Sequence, residues 1–526
     1  MVSKITMGTV VVIFFLGSLI LVNPSQLYVS PDETANAYFA SLFSESGSFR
    51  GSFDVLADSI DGQLHPRSTV SIDGVLLPGS FLGLPFIYGV IAAFVGSWVF
   101  WILTPLLTIL AAIAWGRVID RFTNPLIGKL SFGLFLLHPA VWYYSARGLM
   151  HNVLFVDLLI LSVWMFVVRP LKRSKESRGI WNDILAGLFL GLALFVRTSE
   201  AYWIVGGILL FALAWCRQIS YKRLPAVFVG LLFGITILLG MSTLTYGSPF
   251  HTGYTIGTTQ IEDLLSTDSL DALTTLPFGF HPMNAWRHFL AYGVEMFWWL
   301  SALTLFGFFI LFSQKRHAWS VRSSIMIATL ISMWLVFMYG SWEIHDNPDS
   351  TQITMANSYV RYWLPMYLFS TPMIAAAIVW IAERGRTVLA RTLLVITLCL
   401  LIVGFNVHAV FLQGQDGLVS MRAEIHESEL IQASVLRLTP GDAVIIVDRA
   451  DKLFFPHRRV LYPLRNEATY KVMQSLVSQA PLYYYGISFP DVDFEYLNNS
   501  RLRRMNLQIR LVETYNQESL YLIFSP

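Results

Sequence analysis

Long apolar stretches, separated by short polar linkers, run along the chain from residue 5 to about residue 412. A helix of roughly 20 apolar residues crosses a hydrocarbon core of about 30 Å. Because backbone groups in lipid must find partners within their own segment, such stretches predict spanning α-helices rather than strands. The pattern therefore predicts an α-helical polytopic membrane protein with about 11 transmembrane helices. The predicted spans are residues 5–22, 98–116, 127–144, 149–168, 182–197, 201–216, 224–245, 290–313, 322–341, 359–382 and 391–412.

One further apolar stretch, residues 81–96, contains Gly83, Pro85 and Gly89 and has two alternative placements. If it does not cross, one side of the membrane collects 18 basic residues, and all of them except Lys4 change sides if it does. Cytoplasmic loops are enriched in Lys and Arg, so we expect 81–96 to lie in the interface or to dip partway into the membrane without crossing it. The basic residues of the cytoplasmic side are then Lys4, Arg117, Arg121, Lys129, Arg169, Lys172, Arg173, Lys175, Arg178, Arg217, Lys222, Arg223, Lys315, Arg316, Arg322, Arg384, Arg386 and Arg391.

This orientation places the loops 23–97 and 246–289 and the tail from residue 413 outside the cytoplasm. The cytoplasmic linkers are short and carry no G-x-x-x-x-G-K-[ST] pattern, which argues against chemistry driven by ATP or a nucleotide sugar. We predict a multi-pass protein of the plasma or inner membrane with an extracytoplasmic active site. Its predicted domains are a membrane domain, residues 1–412, and a small extracytoplasmic α/β domain, residues 413–526.

The tail has a strand-like pattern of short apolar runs around one helical stretch, residues 467–480. Its predicted strands are residues 443–448, 460–462, 482–487, 507–515 and 519–524. Composition agrees with a membrane protein, since 13% of residues are charged where a soluble domain has about 25%. The two cysteines, Cys216 and Cys399, form no disulfide framework or metal site, and nothing indicates a nucleic-acid partner.

The first outer loop opens with Ser30-Pro31-Asp32-Glu33, which has two readings. Serine followed by proline and by glutamate three residues on is the pattern of a capping box at a helix start. Alternatively, a carboxylate just beyond the first span accepts a proton from an acceptor hydroxyl or amine. The readings are compatible if Glu33 closes the cap and leaves Asp32 free to act as the base.

An Asp-Glu pair after a single N-terminal span resembles the signature of the GT-C glycosyltransferases, which include protein O-mannosyltransferases and lipid A aminoarabinose transferases. Residues 245–254 (TYGSPFHTGY) and 357–365 (NSYVRYWLP) are similar to segments of such membrane transferases. The resemblance implies a GT-C-like fold and transfer of a single sugar, with inversion, from a polyprenyl-phosphate donor. The acceptor would be a glycan, a lipid or a protein outside the cytoplasm. Asp32 would be the general base, with Glu33 beside it as the second predicted catalytic residue.

Arg147, Arg197 and Arg361 lie at the outer ends of predicted spans, where basic residues are scarce. They either snorkel towards lipid headgroups or bind the donor phosphate, whose oxygens a guanidinium matches. The resemblance favours Arg361, with Arg147 and the neighbouring Tyr362 as further phosphate-binding residues. Arg197 has a potential ion-pair partner in Glu200.

Acidic and polar groups inside spans are functional candidates by default. Asp157, about 12 Å into its span at 1.5 Å per residue, is either a buried structural acid or part of a substrate path, as is Glu295. His151 and Tyr254 complete the set of predicted substrate-binding residues. Asp157 and Glu295 also allow an alternative function, a polytopic transporter or flippase for a lipid-linked sugar.

A divalent metal remains an alternative on Asp32, Glu33, His65 and His151, although no two of these have helical ligand spacing. Asp491 and Asp493 have the spacing of an acidic metal-binding pair, but they are expected to form a polar turn. The related single-sugar transferases generally work without a metal, so we expect no cofactor.

Overall fold

The computed structural model describes residues 4–52, 64–168, 179–256, 278–313, 319–344, 346, 352–461, 463–464 and 466–526. All the basic residues predicted on the cytoplasmic side within 169–178, together with Lys315 and Arg316, lie outside these ranges. The first helices are α1 Lys4–Ser18, α2 Pro31–Ser46, α3 Gly83–Val95, α4 Val99–Phe122, α5 Pro125–Leu136, α6 Pro139–Arg147, α7 His151–Val168, α8 Ile180–Val196, α9 Ala201–Trp215, α10 Leu224–Tyr246 and α11 Gly253–Ile256. They are followed by α12 Pro282–His288, α13 Trp298–Ser313, α14 Trp319–Gly340, α15 Ser358–Tyr362, α16 Leu364–Ala382, α17 Val388–Val407, α18 Leu418–Leu438, α19 Asp451–Phe454, α20 Glu467–Gln479 and α21 Asp491–Tyr496.

Seven helices of the described ranges are long and apolar enough to span a membrane, or nine if each of two bent pairs is one span. The bent pairs are Pro125–Leu136 with Pro139–Arg147, and Pro282–Glu295 with Trp298–Ser313. Three shorter apolar helices are Ile5–Ser18, Gly83–Val95 and Ile180–Val196. The second of these is the segment predicted not to cross. The predicted helical membrane fold is confirmed, and the count of eleven spans stays a prediction.

Apolar side chains cover the outer faces of several of these helices. Leu213 of α9, Phe233 of α10 and Leu400 of α17 are all exposed. Large exposed apolar surfaces of this kind suit contact with lipid tails rather than with water. Between helices, glycines allow close approach, since a Cβ at Gly187 of α8 would lie 1.8 Å from the Val227 carbonyl oxygen of α10.

Three predicted spans are broken where continuous helices were expected, and these predictions were wrong in that respect. The span 127–144 bends by 48° between α5 and α6, because Pro139 cannot donate to the preceding turn and begins a new helix capped by the His138 side chain. The span 290–313 bends by 96° after a π-helical segment, Phe289–Glu295. The span 359–382 is divided at Trp363 between α15 and α16.

The chain folds as two compact units. The first comprises residues 1–21, 100–240 and 261–421, and the second comprises 22–99, 241–260 and 422–526. The second unit contains a five-stranded mixed sheet of order β5-β4-β6-β8-β7, in which β4 is parallel to β5 and β6. Its strands are β4 Val444–Val447, β5 Arg459–Leu461, β6 Leu482–Ile487, β7 Gln508–Tyr515 and β8 Glu518–Phe524. The strand and helix pattern predicted for the tail is confirmed.

Two parts of the second unit were not predicted. The helix α18 precedes the sheet, and the first loop forms a small antiparallel sheet of order β1-β3-β2, with strands β1 Gly51–Ser52, β2 Thr69–Ile72 and β3 Val75–Pro78. Leu64, just before β2, is fully buried among core residues of the tail sheet such as Val444 and Ile446. The first loop and the tail therefore share one hydrophobic core.

Candidate functional site

The capping box predicted at the start of α2 is present. The Glu33 carboxylate accepts hydrogen bonds from the Ser30 backbone N–H and hydroxyl, both at 2.8 Å, while the Ser30 hydroxyl accepts from the Glu33 N–H at 3.4 Å. Pro31 is the first helical residue, and Glu33 is 1% exposed. The Glu33 side chain therefore serves the helix end, whose N–H groups need acceptors.

Asp32 is half-buried, and the cap is closed by Ser30 and Glu33, while the Asp32 carboxylate has a partner elsewhere in the first loop. The Ser68 hydroxyl donates to Asp32 Oδ1 at 2.5 Å, a short charge-assisted hydrogen bond. Ser68 has a left-handed backbone, with φ of +63°. The sequence carries no signal for this contact, because the two residues belong to different elements of the first loop.

Arg67, beside Ser68, pairs with Asp451 of the tail. Its Nη2 and Nε donate to Asp451 Oδ1 at 2.6 and 3.0 Å, and its backbone N–H donates to Oδ2 at 2.8 Å. Arg67 Nη2 also donates to the Arg449 carbonyl at 2.7 Å. Neither Arg67 nor Asp451 was identified from the sequence as part of a site.

Two titratable groups near α2 are neutral at neutral pH. Burial, and secondarily the Glu33 charge, raises the pKa of the Tyr28 phenol well above its usual value. Burial lowers the pKa of His65, against the opposing effects of the Pro66 carbonyl and Asp451. The Nδ1 atom of His65 contacts that carbonyl at 3.0 Å.

In the described ranges, no three His, Cys, Asp or Glu side chains are grouped to hold a metal ion.

In the first unit, Arg147 and Arg361 lie beside residues of the same short stretch, 144–150. The Cζ atom of Arg147, the last residue of α6, lies 5.7 Å from the ring centroid of Tyr144. Arg361 Nη1 also lies 3.3 Å from the sulfur of Met150. The two arginines predicted to bind a phosphate thus lie near each other at the ends of α6 and α15.

Arg197 pairs with Glu200, as predicted, at 2.7 Å, and both side chains are buried. Arg197 Nη2 donates to the Tyr339 hydroxyl at 3.1 Å, and that hydroxyl donates to Glu200 Oε1. The ring of Tyr362 lies beside this group, 5.1 Å from Arg197 Cζ and 5.3 Å from Arg361 Cζ. Arg197 therefore contacts the predicted phosphate site through Tyr362.

Asp157 is 1% exposed inside α7. Its Oδ2 accepts a hydrogen bond from Thr108 at 2.8 Å, and its Oδ1 has no hydrogen-bond partner among the described residues. His151, at the start of α7, is buried, whereas Glu295 is exposed at the 96° bend.

The remaining predicted residues lie in the second unit. Tyr254 is exposed in α11, with its ring centroid 5.0 Å from that of Phe81. Asp491 and Asp493 occupy the first turn of α21, so the predicted polar turn is wrong. Acidic residues are favourable there because they face the positive end of the helix dipole. Asp32, Glu33 and Tyr254 belong to this unit, and the other predicted site residues belong to the first.

No protein-family model matches the chain, and no curated protein sequence matches it. Solved structures do. ArnT from Cupriavidus metallidurans in the apo state has a TM-score of 0.56 at 11% identity, covering 98% of this chain and 97% of that one. The same protein bound to undecaprenyl phosphate gives 0.56 at 12% identity, with 98% and 96% covered.

A second neighbour is the archaeal oligosaccharyltransferase AglB from Archaeoglobus fulgidus, in complex with an inhibitory peptide and a dolichol-phosphate. Its TM-score is 0.55 at 10% identity, covering 96% of this chain and 71% of that one. ArnT and AglB are both GT-C glycosyltransferases. Over nearly its whole length, this chain therefore has the fold of the GT-C membrane glycosyltransferases.

Proposed function

We propose that the protein transfers a single sugar, with inversion, from a polyprenyl-phosphate donor to an acceptor on the extracytoplasmic face. The observation that carries this proposal is the near full-length likeness to ArnT bound to undecaprenyl phosphate. The likeness to AglB in complex with a dolichol-phosphate supports a lipid-phosphate donor independently. A fold alone does not fix chemistry, so the assignment of roles depends on the individual side chains.

Asp32 is the general base of the proposed reaction. The acceptor hydroxyl or amine attacks the anomeric carbon, and its proton passes to the Asp32 carboxylate. The bond between the anomeric carbon and the phosphate oxygen breaks, and its electron pair leaves with the lipid phosphate. The half-buried carboxylate at the first turn of α2 supports this role, because the neighbouring Glu33 is occupied by the cap.

Arg361 and Arg147 bind the donor phosphate in this proposal. Their guanidinium groups offset the negative charge that grows on the phosphate as the glycosidic bond breaks. Arg361 Nη1 lies 3.3 Å from the sulfur of Met150, three residues after Arg147, and this proximity supports a shared ligand. The extracytoplasmic face follows from the bias of basic residues towards the other side of the membrane.

The test uses the full-length protein in vesicles of phosphatidylethanolamine and phosphatidylglycerol. Undecaprenyl phosphates carrying radiolabelled mannose, glucose, galactose or aminoarabinose serve as donor probes, with bacterial envelope extract as the acceptor source. We expect protein-dependent transfer of label from one donor. We expect Asp32→Asn to lower the rate by at least about 100-fold while the melting temperature stays near wild type. Arg361→Ala should weaken binding of undecaprenyl phosphate by roughly tenfold or more.

Turnover of Asp32→Asn at the wild-type rate would remove Asp32 from the role of base. If no donor is consumed, movement of fluorescent undecaprenyl phosphate across the same vesicles would instead identify a flippase. Glu343→Gln is the matched control, because the Glu343 carboxylate pairs with Arg287 and both side chains are largely exposed. It should transfer label at the wild-type rate.

A further inference from the structure

Asp451 of the tail binds both the backbone and the side chain of Arg67 in the first loop. The Asp451 carboxylate is fully buried, and three hydrogen bonds from Arg67, two from the guanidinium and one from the backbone N–H, converge on it. Two nitrogens of the guanidinium and the backbone N–H of the same arginine all bind one carboxylate. The side chain therefore has little freedom to rotate. The pair therefore fixes the position of the chain at residue 67.

Ser68 follows directly and is held in a conformation that L-residues seldom adopt. Its φ of +63° lies in the left-handed region, and its carbonyl accepts a hydrogen bond from the Gly79 N–H at 3.0 Å. A Cβ at position 79 would lie 2.8 Å from the Ser68 carbonyl carbon, so only glycine fits beside it. Strained residues fixed on both sides in this way are concentrated at functional sites.

The strained residue directs its hydroxyl at Asp32 Oδ1, 2.5 Å away. A second tail residue, Lys452, donates to the Val29 carbonyl at 2.7 Å, just before the cap of α2. Adjacent tail residues thus hold both the segment that enters α2 and the loop that contacts its first-turn carboxylate.

We propose that Asp451, Arg67 and Ser68 form a positioning relay through which the tail domain sets the orientation of the Asp32 carboxylate. This inference rests on the proposed function, because it assumes that Asp32 is the base. The relay gives the tail a part in the chemical step: Asp451 fixes Arg67, Arg67 fixes Ser68, and Ser68 fixes the carboxylate against the acceptor proton. Misplacement of a reacting group by about 1 Å costs on the order of 100-fold in rate.

Ser68→Ala and Ser68→Gly separate an effect on the position of the Asp32 carboxylate from an effect on the stability of the fold. Both remove the hydroxyl, but glycine also relieves the left-handed backbone, so Ser68→Gly should fold at least as stably as Ser68→Ala. In the vesicle assay we expect both variants to lower kcat by roughly 10- to 100-fold. KM for the labelled undecaprenyl-phosphate sugar should stay within about twofold of wild type, because the contact lies on the base and not on the donor.

A double-mutant cycle tests the relay itself. Asp451→Asn keeps the shape of the side chain but weakens its hold on Arg67, and alone it should lower kcat by about tenfold. In the Ser68→Ala background it should lower kcat no further, because both changes act on the same contact. Glu467→Gln is the matched control, since Glu467 pairs with Arg501 in the tail and is exposed. We expect its kcat to equal that of wild type.

The outcomes separate this inference from the proposed function. If Asp32→Asn abolishes transfer while Ser68→Gly keeps the wild-type kcat, the relay is wrong and the proposed function stands. Additive losses in the double mutant would also overturn the relay, because they would show that Asp451 acts by another route. If Asp451→Asn does not fold, the two Ser68 variants alone decide.

Discussion

The ring of Tyr362 stacks on the ring of Tyr339, with centroids 4.4 Å apart and planes inclined by 18°. The Tyr339 hydroxyl is held between Arg197 and Glu200. A buried ion pair thereby fixes one tyrosine, and that tyrosine supports the ring beside Arg361. The proposed phosphate site thus has a backing made of the side chains of Tyr362, Tyr339, Arg197 and Glu200.

Two substitutions in this group should separate its effect on the stability of the protein from its effect on donor binding. Tyr339→Phe keeps the stacked ring but leaves Arg197 and Glu200 each without one buried hydrogen bond, which should cost about 1–3 kcal/mol of stability. Tyr362→Ala removes the ring itself and should weaken binding of undecaprenyl phosphate several-fold. Melting temperature and native mass spectrometry with added undecaprenyl phosphate measure the two effects. Unchanged binding in Tyr362→Ala would show that the ring has no part in holding Arg361.

Replacing the carboxylate by an amide should affect transfer activity differently at Glu33 and at Asp32. Glutamine also closes a capping box, so Glu33→Gln should keep most of the transfer activity, whereas Asp32→Asn should not. Ser30→Ala removes the cap hydroxyl and should cost about 1 kcal/mol of stability. A Glu33→Gln variant as inactive as Asp32→Asn would assign a catalytic role to both carboxylates, as the Asp-Glu motif first suggested.

The ion pair between Asp183 and Arg223 should be a main stabilising contact of the first unit. The two atoms Arg223 Nη2 and Asp183 Oδ1 are 2.6 Å apart, with side chains 7% and 2% exposed. Asp183→Asn leaves a buried guanidinium without its counter-charge and should cost about 3–5 kcal/mol. The exposed pair of Arg287 and Glu343 provides the comparison, and Glu343→Gln should cost less than about 1 kcal/mol. Thermal unfolding in detergent measures both, and equal losses would contradict the difference in burial.

Asp157 should tolerate a neutral amide. Its Oδ1 is buried and accepts no hydrogen bond within the part of the chain that the structure describes, and an amide is less costly to bury than a carboxylate. We therefore expect Asp157→Asn to transfer sugar at close to the wild-type rate and to melt at or above the wild-type temperature. If transfer is lost while the fold persists, Asp157 belongs to the substrate path, and the transporter alternative gains support.

Much of the fold could be predicted from the sequence because its determinants are local or periodic. Apolar length defines the membrane helices, and short apolar runs define the tail strands, such as Leu482–Ile487. The Ser30–Glu33 box and the Arg197–Glu200 pair were also predictable, since both partners lie three residues apart. The bends at Pro139 and after Glu295 were missed, because hydrophobicity does not change across them.

The site could be predicted only where a motif marks it. Asp32, Arg361 and Arg147 were identified from type and position, and the structure adds the Ser68 contact and the contact of Arg361 with Met150. Arg67 and Asp451 are 384 residues apart, and no pattern in the sequence joins an arginine in one loop to an aspartate in a distant domain. No sequence pattern marks the left-handed backbone of Ser68 either.

The interval between Arg67 and Asp451 also sets an order of events during synthesis. The ribosome delivers Asp32, Arg67, Arg147 and Arg361 well before Asp451, and domains generally fold as their residues emerge. A nascent chain that has inserted its membrane helices thus carries every proposed reactive side chain but no tail to orient the first carboxylate. On the proposed relay, the newly made protein works below its full rate until its tail has folded around Asp451.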